Sequence, residues 1–139
     1  MVPKDSSPGQ MLILDSSAIV AAMLREPGHQ RILERIDAAS SVGVAAPTVV
    51  ETAIVLSSRL RLDARPRLRE FLQAAEVEVI PFTSEHMDSA IDAFLRYGKG
   101  RHPAALNFGD CLTYASATIA GLPLLFTGSD FLKTDVTPA

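Results

Sequence analysis

The chain's patterned part opens with four apolar residues, Met11–Leu14, that stop at Asp15. A run that short is too brief for a helix and suits a buried strand. Ser16 or Ser17 then caps a helix through about Leu24, and Pro27 and Gly28 punctuate it. Ile32, Leu33 and Ile36 recur at helical spacing, predicting a second helix that ends near Ser40 and Ser41. Val42–Ala46 reads as the next strand, stopped by Pro47, with a helix from about Thr48 to Leu60 behind it. Leu68, Phe71, Leu72 and Ala75 place one apolar stripe on a helix opened by Asp63. Val77–Phe82 alternates Val and Glu before Ile80, the pattern of a half-exposed strand. Thr83 or Ser84 opens a helix with an expected buried stripe of Met87, Ala90, Ile91, Phe94 and Leu95, closed by Gly98 as a left-handed cap. Asn107 caps an Ala-rich helix reaching Gly121. Pro123–Phe126 is the last clear strand, and Asp135–Val136 offers a short further one.

Strands separated by helices imply crossover connections and a mainly parallel sheet covered on both faces. The predicted class is therefore α/β, a three-layer α/β/α sandwich. No internal repeat or second domain is visible, so residues 11–139 form one domain. Met1–Gln10, polar and rich in Ser, Pro and Gly, reads as a loose N-terminal tail.

Composition narrows the picture. Of 139 residues, 47% are apolar and 21% charged, which suits a folded chain rather than a disordered one. The single cysteine, Cys111, excludes an intramolecular disulfide and favours a reducing cytoplasm. No apolar run is long enough to span a bilayer, and Asp15 interrupts the one stretch resembling a signal-peptide core, so a soluble, cytoplasmic protein is expected. A net charge of −3 argues against wrapping nucleic acid by bulk electrostatics. Local basic patches remain, because Arg59, Arg61, Arg65, Arg67 and Arg69 cluster, as do Arg96, Lys99 and Arg101. The first cluster suits a solvated helix face as well as a binding surface.

Candidate chemistry sits at one sheet edge. In open α/β sheets, sites form beyond the carboxyl ends of the strands. Asp15 ends the first strand, Glu51 lies in the first turn after the second, and Asp130 follows the last strand by the short turn Thr127–Gly128–Ser129. Asp110 opens a helix that follows another helix, so strand order alone leaves it unplaced. Each acid has an ordinary structural use. Asp15 can cap a helix, Thr48 and Glu51 have capping-box spacing, Asp110 sits three after Asn107, and Asp130 suits a turn. Together they are harder to explain. Two carboxylates 4 Å apart repel by about 4 kcal/mol at an effective dielectric near 20. A cluster needs protonation or a cation, and oxygen-only ligands select a hard ion such as Mg²⁺ or Mn²⁺. His29, His86 and His102 lack zinc-site spacing. An ion held this way activates water, orients a phosphate and stabilises its developing charge, the requirements of phosphodiester hydrolysis.

The segments Leu12–Ala18, Pro47–Glu51, Asn107–Cys111 and Leu124–Phe131 resemble, in order and spacing, the successive motifs of PIN-domain ribonucleases. Tyr97–His102 is most similar to the VapC toxins of bacterial VapBC toxin–antitoxin pairs, and the resemblance covers nearly the whole chain from Met11. It implies a magnesium-dependent endoribonuclease with Asp15, Glu51, Asp110 and Asp130 as its acidic set. By resemblance, Asp15 and Asp110 are the direct metal ligands, and Glu51 holds water of the metal's shell or orients the nucleophile. Asp130 completes the site from farther out, and the products carry a 5′-phosphate and a 3′-hydroxyl. The family also implies a homodimer and a cognate VapB antitoxin whose C-terminal segment covers the groove. Gly128 and Ser129 depart from the second acid that many members carry in this loop, which makes Asp130 the marginal member.

Ser17 and Thr127 are candidates for a phosphate or a metal water, with a helix cap as the ordinary alternative for Ser17. Lys99 and Arg101, between glycines before the Asp110 helix, are candidates for RNA phosphates. The Gly98–Pro103 stretch follows a helix and lacks a third glycine, so it is no dinucleotide fingerprint. Cys111 is expected to face the core, and no Cys–His pairing supports a thiol nucleophile. Two rival functions remain. One is a metal-dependent phosphatase or phosphotransferase with an aspartyl nucleophile, which often carries an Asp where this chain has Ser17. The other is a non-catalytic partner-binding module, which would have no use for mutually repelling acids.

Overall fold

A computed structural model describes residues 10–139. Most of the expected tail, residues 1–9, lies outside the described residues. Gln10 is already tied in, its carbonyl accepting from Ser40 N–H at 3.0 Å and its amide oxygen from Arg35.

The elements run β1 Met11–Leu14, α1 Ser16–Met23, α2 His29–Ala38, β2 Ser41–Ala45, α3 Ala46–Leu60, α4 Arg65–Ala74 and β3 Val77–Ile80. Then follow α5 Ser84–Tyr97, α6 Phe108–Ala120, β4 Leu124–Leu125 and a short 3₁₀ turn, Phe131–Lys133. The sheet has four strands in the order β3-β2-β1-β4, all parallel. Period-two alternation divides β1 between two cores. Leu12 and Leu14 join α1–α4 residues such as Ile19, Ile36, Leu56 and Leu68, whereas Ile13 joins Ala93, Tyr114 and Ala115 of α5 and α6. The three-layer expectation is therefore met. The chain progresses from β1 to β3 on one side, then returns to place β4 on the other flank of β1. A topological switch point thus falls between β1 and β4, where an open sheet splays to leave a crevice.

Several boundaries differ from expectation, each for a physical reason. Pro47 starts α3 rather than merely stopping β2, because proline fits the first helical turn, where its missing N–H is not needed. Glu51 consequently sits in the second turn. The Thr48–Glu51 capping box does not form; Thr48 is buried, its hydroxyl 3.3 Å from that of Thr113. Gly98 is extended (φ −66°, ψ 159°) rather than left-handed, and a Cβ there would meet the Phe94 carbonyl at 2.4 Å. Asp135–Val136 forms no strand. The C-terminal pairing occurs at Pro138, with Leu124 N–H donating to Thr137 O at 2.8 Å and Ala139 N–H to Leu124 O at 2.9 Å.

The largest correction concerns α5. Its buried positions are His86, Ala90, Ala93 and Tyr97, while Met87, Ile91, Phe94 and Leu95 stand 41–57% exposed. Small residues turn inward because they let α5 lie close against α6, leaving the large apolar side chains on an open face. Among the described residues, no helix is long and apolar enough to cross a membrane.

Candidate active site

Asp15 leaves β1 with its N–H bonded to Leu125 O of β4 at 3.0 Å and becomes the N-cap of α1. Its Oδ2 accepts from Ser17 N–H at 3.1 Å and from the Ser17 hydroxyl at 2.6 Å. Ser17 Oγ in turn accepts from Thr127 N–H at 3.0 Å. One hydroxyl thereby links the end of β1 to the loop after β4 across the switch point. The capping use of Asp15 is real but consumes only one oxygen. Asp15 is 4% exposed, and its Oδ1 is buried with no hydrogen-bond partner. An unsatisfied buried polar atom costs about 1–3 kcal/mol, and more when it carries charge, so capping alone does not account for the side chain.

Glu51 and Asp110 both feel the Asp15 charge. Glu51, half-buried on α3, has its carboxyl pushed above the usual range by burial. A hydrogen bond from the Ser16 side chain opposes that push, and the Asp15 charge adds to it. Asp110 is the third residue of α6 and closes a capping box with Asn107. Its N–H donates to Asn107 Oδ1 at 2.9 Å, and its Oδ2 accepts from Asn107 N–H at 3.0 Å. Burial pushes the Asp110 carboxyl up to about 6. The Asn107 N–H works against that rise, while the charges of Asp15, Asp130 and Glu51 support it. Asp130 is exposed and begins the 3₁₀ turn without a side-chain cap bond. Asp110, which strand order could not place, is therefore the group that feels all three other acids.

The donor set is entirely oxygen, and one buried oxygen lacks a partner. Among the described residues, no three His, Cys, Asp or Glu side chains close around a single point. The fit to a hard cation rests on the all-oxygen chemistry of the donors, the kind such ions take.

Ser17 and Thr127, expected at the substrate, sit at the crevice but spend hydrogen bonds on each other and on Asp15. Lys99 and Arg101 are exposed on a loop closed by the Gly98–Leu106 bridge, directly before the Asn107 cap. Among the described residues neither is brought against an acid, and Arg101 lies over the Phe94 ring at 5.5 Å. Two neighbours of the acids escaped the sequence reading. Ser16 bonds Glu51, and Gly109 gives it room; an isolated helical glycine beside an aspartate was the available signal for the second. From Glu51 an apolar groove of about 700 Å³ runs between α3 and α5–α6, lined by Val50, Ile54, Met87, Ile91 and Phe108.

Comparison with known proteins matches residues 12–136 to the PIN domain family. The chain is 44% identical over 126 residues to Ribonuclease VapC36 of Mycobacterium tuberculosis, covering 90% of this chain and 91% of that one. Among solved structures it resembles the sarcin-ricin-loop-cleaving toxin VapC20 of M. tuberculosis at 17% identity and TM-score 0.73, covering 92% of this chain and 98% of that one. It also resembles a chain of a toxin–antitoxin complex from Klebsiella pneumoniae at 16% identity and TM-score 0.66, with the same coverage. At those identities the structural likenesses establish the fold alone.

Proposed function

This chain belongs to the PIN-domain family, among its VapC ribonucleases, and from that premise we propose that it is a divalent-metal-dependent endoribonuclease, the toxin of a type II toxin–antitoxin pair. The observation that carries this reading is the buried, unpartnered Asp15 Oδ1, whose carboxylate lies within electrostatic reach of Glu51 and Asp110. Asp15 and Asp110 are the residues that would hold Mg²⁺ or Mn²⁺. A bound ion of this kind offsets carboxylate repulsion, lowers the pKa of water and stabilises charge on a phosphate in the transition state.

The chain's own groups supply the rest. Ser17 occupies Oδ2 of Asp15, which leaves Oδ1 as the oxygen without a partner. Glu51, whose carboxyl is raised by burial, takes the proton of the attacking water at a carboxylate oxygen. Asp130, exposed at the rim, adds negative field that favours cation entry. Lys99 and Arg101, on the loop before the Asn107 cap, meet phosphates of the RNA backbone. The RNA substrate puts the protein in the cytoplasm.

Two partners complete the proposal. A VapB-type antitoxin silences the enzyme by laying its C-terminal segment over the acidic groove, in keeping with the likeness to a chain of a toxin–antitoxin complex. A second copy of this chain covers the apolar face made by Val50, Ile54, Met87 and Ile91, each more than half exposed. Incubating purified protein with total RNA tests the central reading. Cleavage should require added Mg²⁺ or Mn²⁺, stop with a chelator and vanish in Asp15→Asn. Undiminished cleavage in the chelator or by Asp15→Asn would refute it.

A further inference from the structure

Gly109 is the second residue of α6, and its φ lies outside the positive region that Gly28, Gly100, Gly121 and Gly128 occupy. The backbone therefore does not require glycine there. Alanine is the better helix former, so helix propensity argues against the residue found. What glycine supplies is space. A Cβ on Gly109 would stand 2.0 Å from Glu51 Oε2, 2.6 Å from Cδ and 2.8 Å from Oε1. All three atoms belong to one carboxylate, and all lie well inside van der Waals contact. The same carboxylate accepts a hydrogen bond from Ser16, the first residue of α1. Glu51 is thus seated between the first turns of α1 and α6, beside the chain neighbours of Asp15 and Asp110.

We propose that Gly109 is a positioning residue: its missing side chain is the seat that holds the Glu51 carboxylate between Asp15 and Asp110. The atoms in conflict are the far end of a flexible side chain. An added methyl therefore leaves the fold intact and moves the carboxylate instead. The proposal rests on the ribonuclease reading for its effect on turnover, but not for the contact itself.

Two double-variant cycles test it. In the first, RNA cleavage is measured at saturating Mg²⁺. Gly109→Ala should lower kcat at least about tenfold while leaving KM nearly unchanged. Glu51→Asp withdraws the carboxylate by one methylene. In that background, adding Gly109→Ala should cost less than about threefold, a partial rescue that a merely structural glycine would not give. The second cycle records melting of the metal-free protein. With Glu51 replaced by Ala, Gly109→Ala should raise Tm by roughly 3 °C through helix propensity; with Glu51 present it should give no rise or a fall. Equal effects of Gly109→Ala in the two backgrounds, in either cycle, overturn the proposal. A wild type that cleaves no RNA removes the ribonuclease reading instead, and the melting cycle still decides the contact.

Discussion

The crevice between β1 and β4 and the open face of α3 and α5 are opposite departures from ordinary burial. At the crevice, polar groups are wholly or partly buried: Asp15 is 4% exposed with an oxygen left unpaired, and half-buried Asp110 is driven up to about 6 by burial and three neighbouring acids. On the face, large apolar groups are bare, with Ile54 62%, Ile91 57% and Phe108 81% exposed. Neither is stable on its own terms. A buried uncompensated charge calls for a counter-charge, and a continuous apolar patch calls for a covering surface. The two meet at Glu51, which lines the apolar groove and belongs to the acidic set. The proposed partners answer these two departures, a small hard cation in one case and apolar protein in the other.

Removing an acid from the crevice should have the greatest consequence. Asp110→Asn should reduce RNA cleavage by at least about 100-fold while the protein stays folded, because the Asn107 capping box keeps an amide acceptor. Near-normal turnover would show that the acids merely cap helices. The face is broken next. Ile91→Glu with Met87→Glu should convert a dimer to a monomer, read as a halving of mass by light scattering, without disturbing the Asp15–Ser17–Thr127 bonds. A wild type already monomeric at high concentration would remove the second copy as the cover.

A third experiment sharpens the crevice through pH. The Asp110 carboxyl is raised from 3.8 to about 6, so the folded state holds its proton more tightly than the unfolded state does. Its contribution to stability is full below about pH 4 and is lost as pH rises through 6. Metal-free protein should therefore lose Tm between about pH 5 and about pH 7.5, more than Asp110→Asn does. Added Mn²⁺ should cancel that loss at the higher pH. Parallel pH profiles for the two proteins would mean that folding does not raise the Asp110 carboxyl. The smallest effect is expected of Ser17→Ala, which cuts the hydroxyl link between Asp15 and Thr127. It should cost about 1 kcal/mol of stability and a few-fold in kcat, seen together in melts and single-turnover cleavage.

How much of this was legible depended on whether the signal was local. Met11–Leu14 reads directly as a strand because a central parallel strand is apolar on both faces. Asn107 and Asp110 announce their cap because both partners lie within one turn. Asp15 and Asp130 follow from strand ends. The start of α3 was missed because Pro47 ends a strand and opens a helix in the same stroke. Asp110's approach to the other acids is a product of how α6 crosses the sheet, which no local spacing encodes. The α5 pattern showed an apolar stripe but not its cover, and the alanines nearby took the core because close helix packing favours small residues. Gly109 was invisible for a similar reason: its meaning lies in Glu51, 58 positions away (109 − 51).

The central claim is that the buried Asp15 oxygen is a cation ligand, and calorimetric titration of Mn²⁺ into metal-free protein at neutral pH tests it most directly. Saturable binding is expected for the wild type and its loss in Asp15→Asn, whose fold is checked by an unchanged circular dichroism spectrum. Equal Mn²⁺ affinity in the two proteins would contradict it.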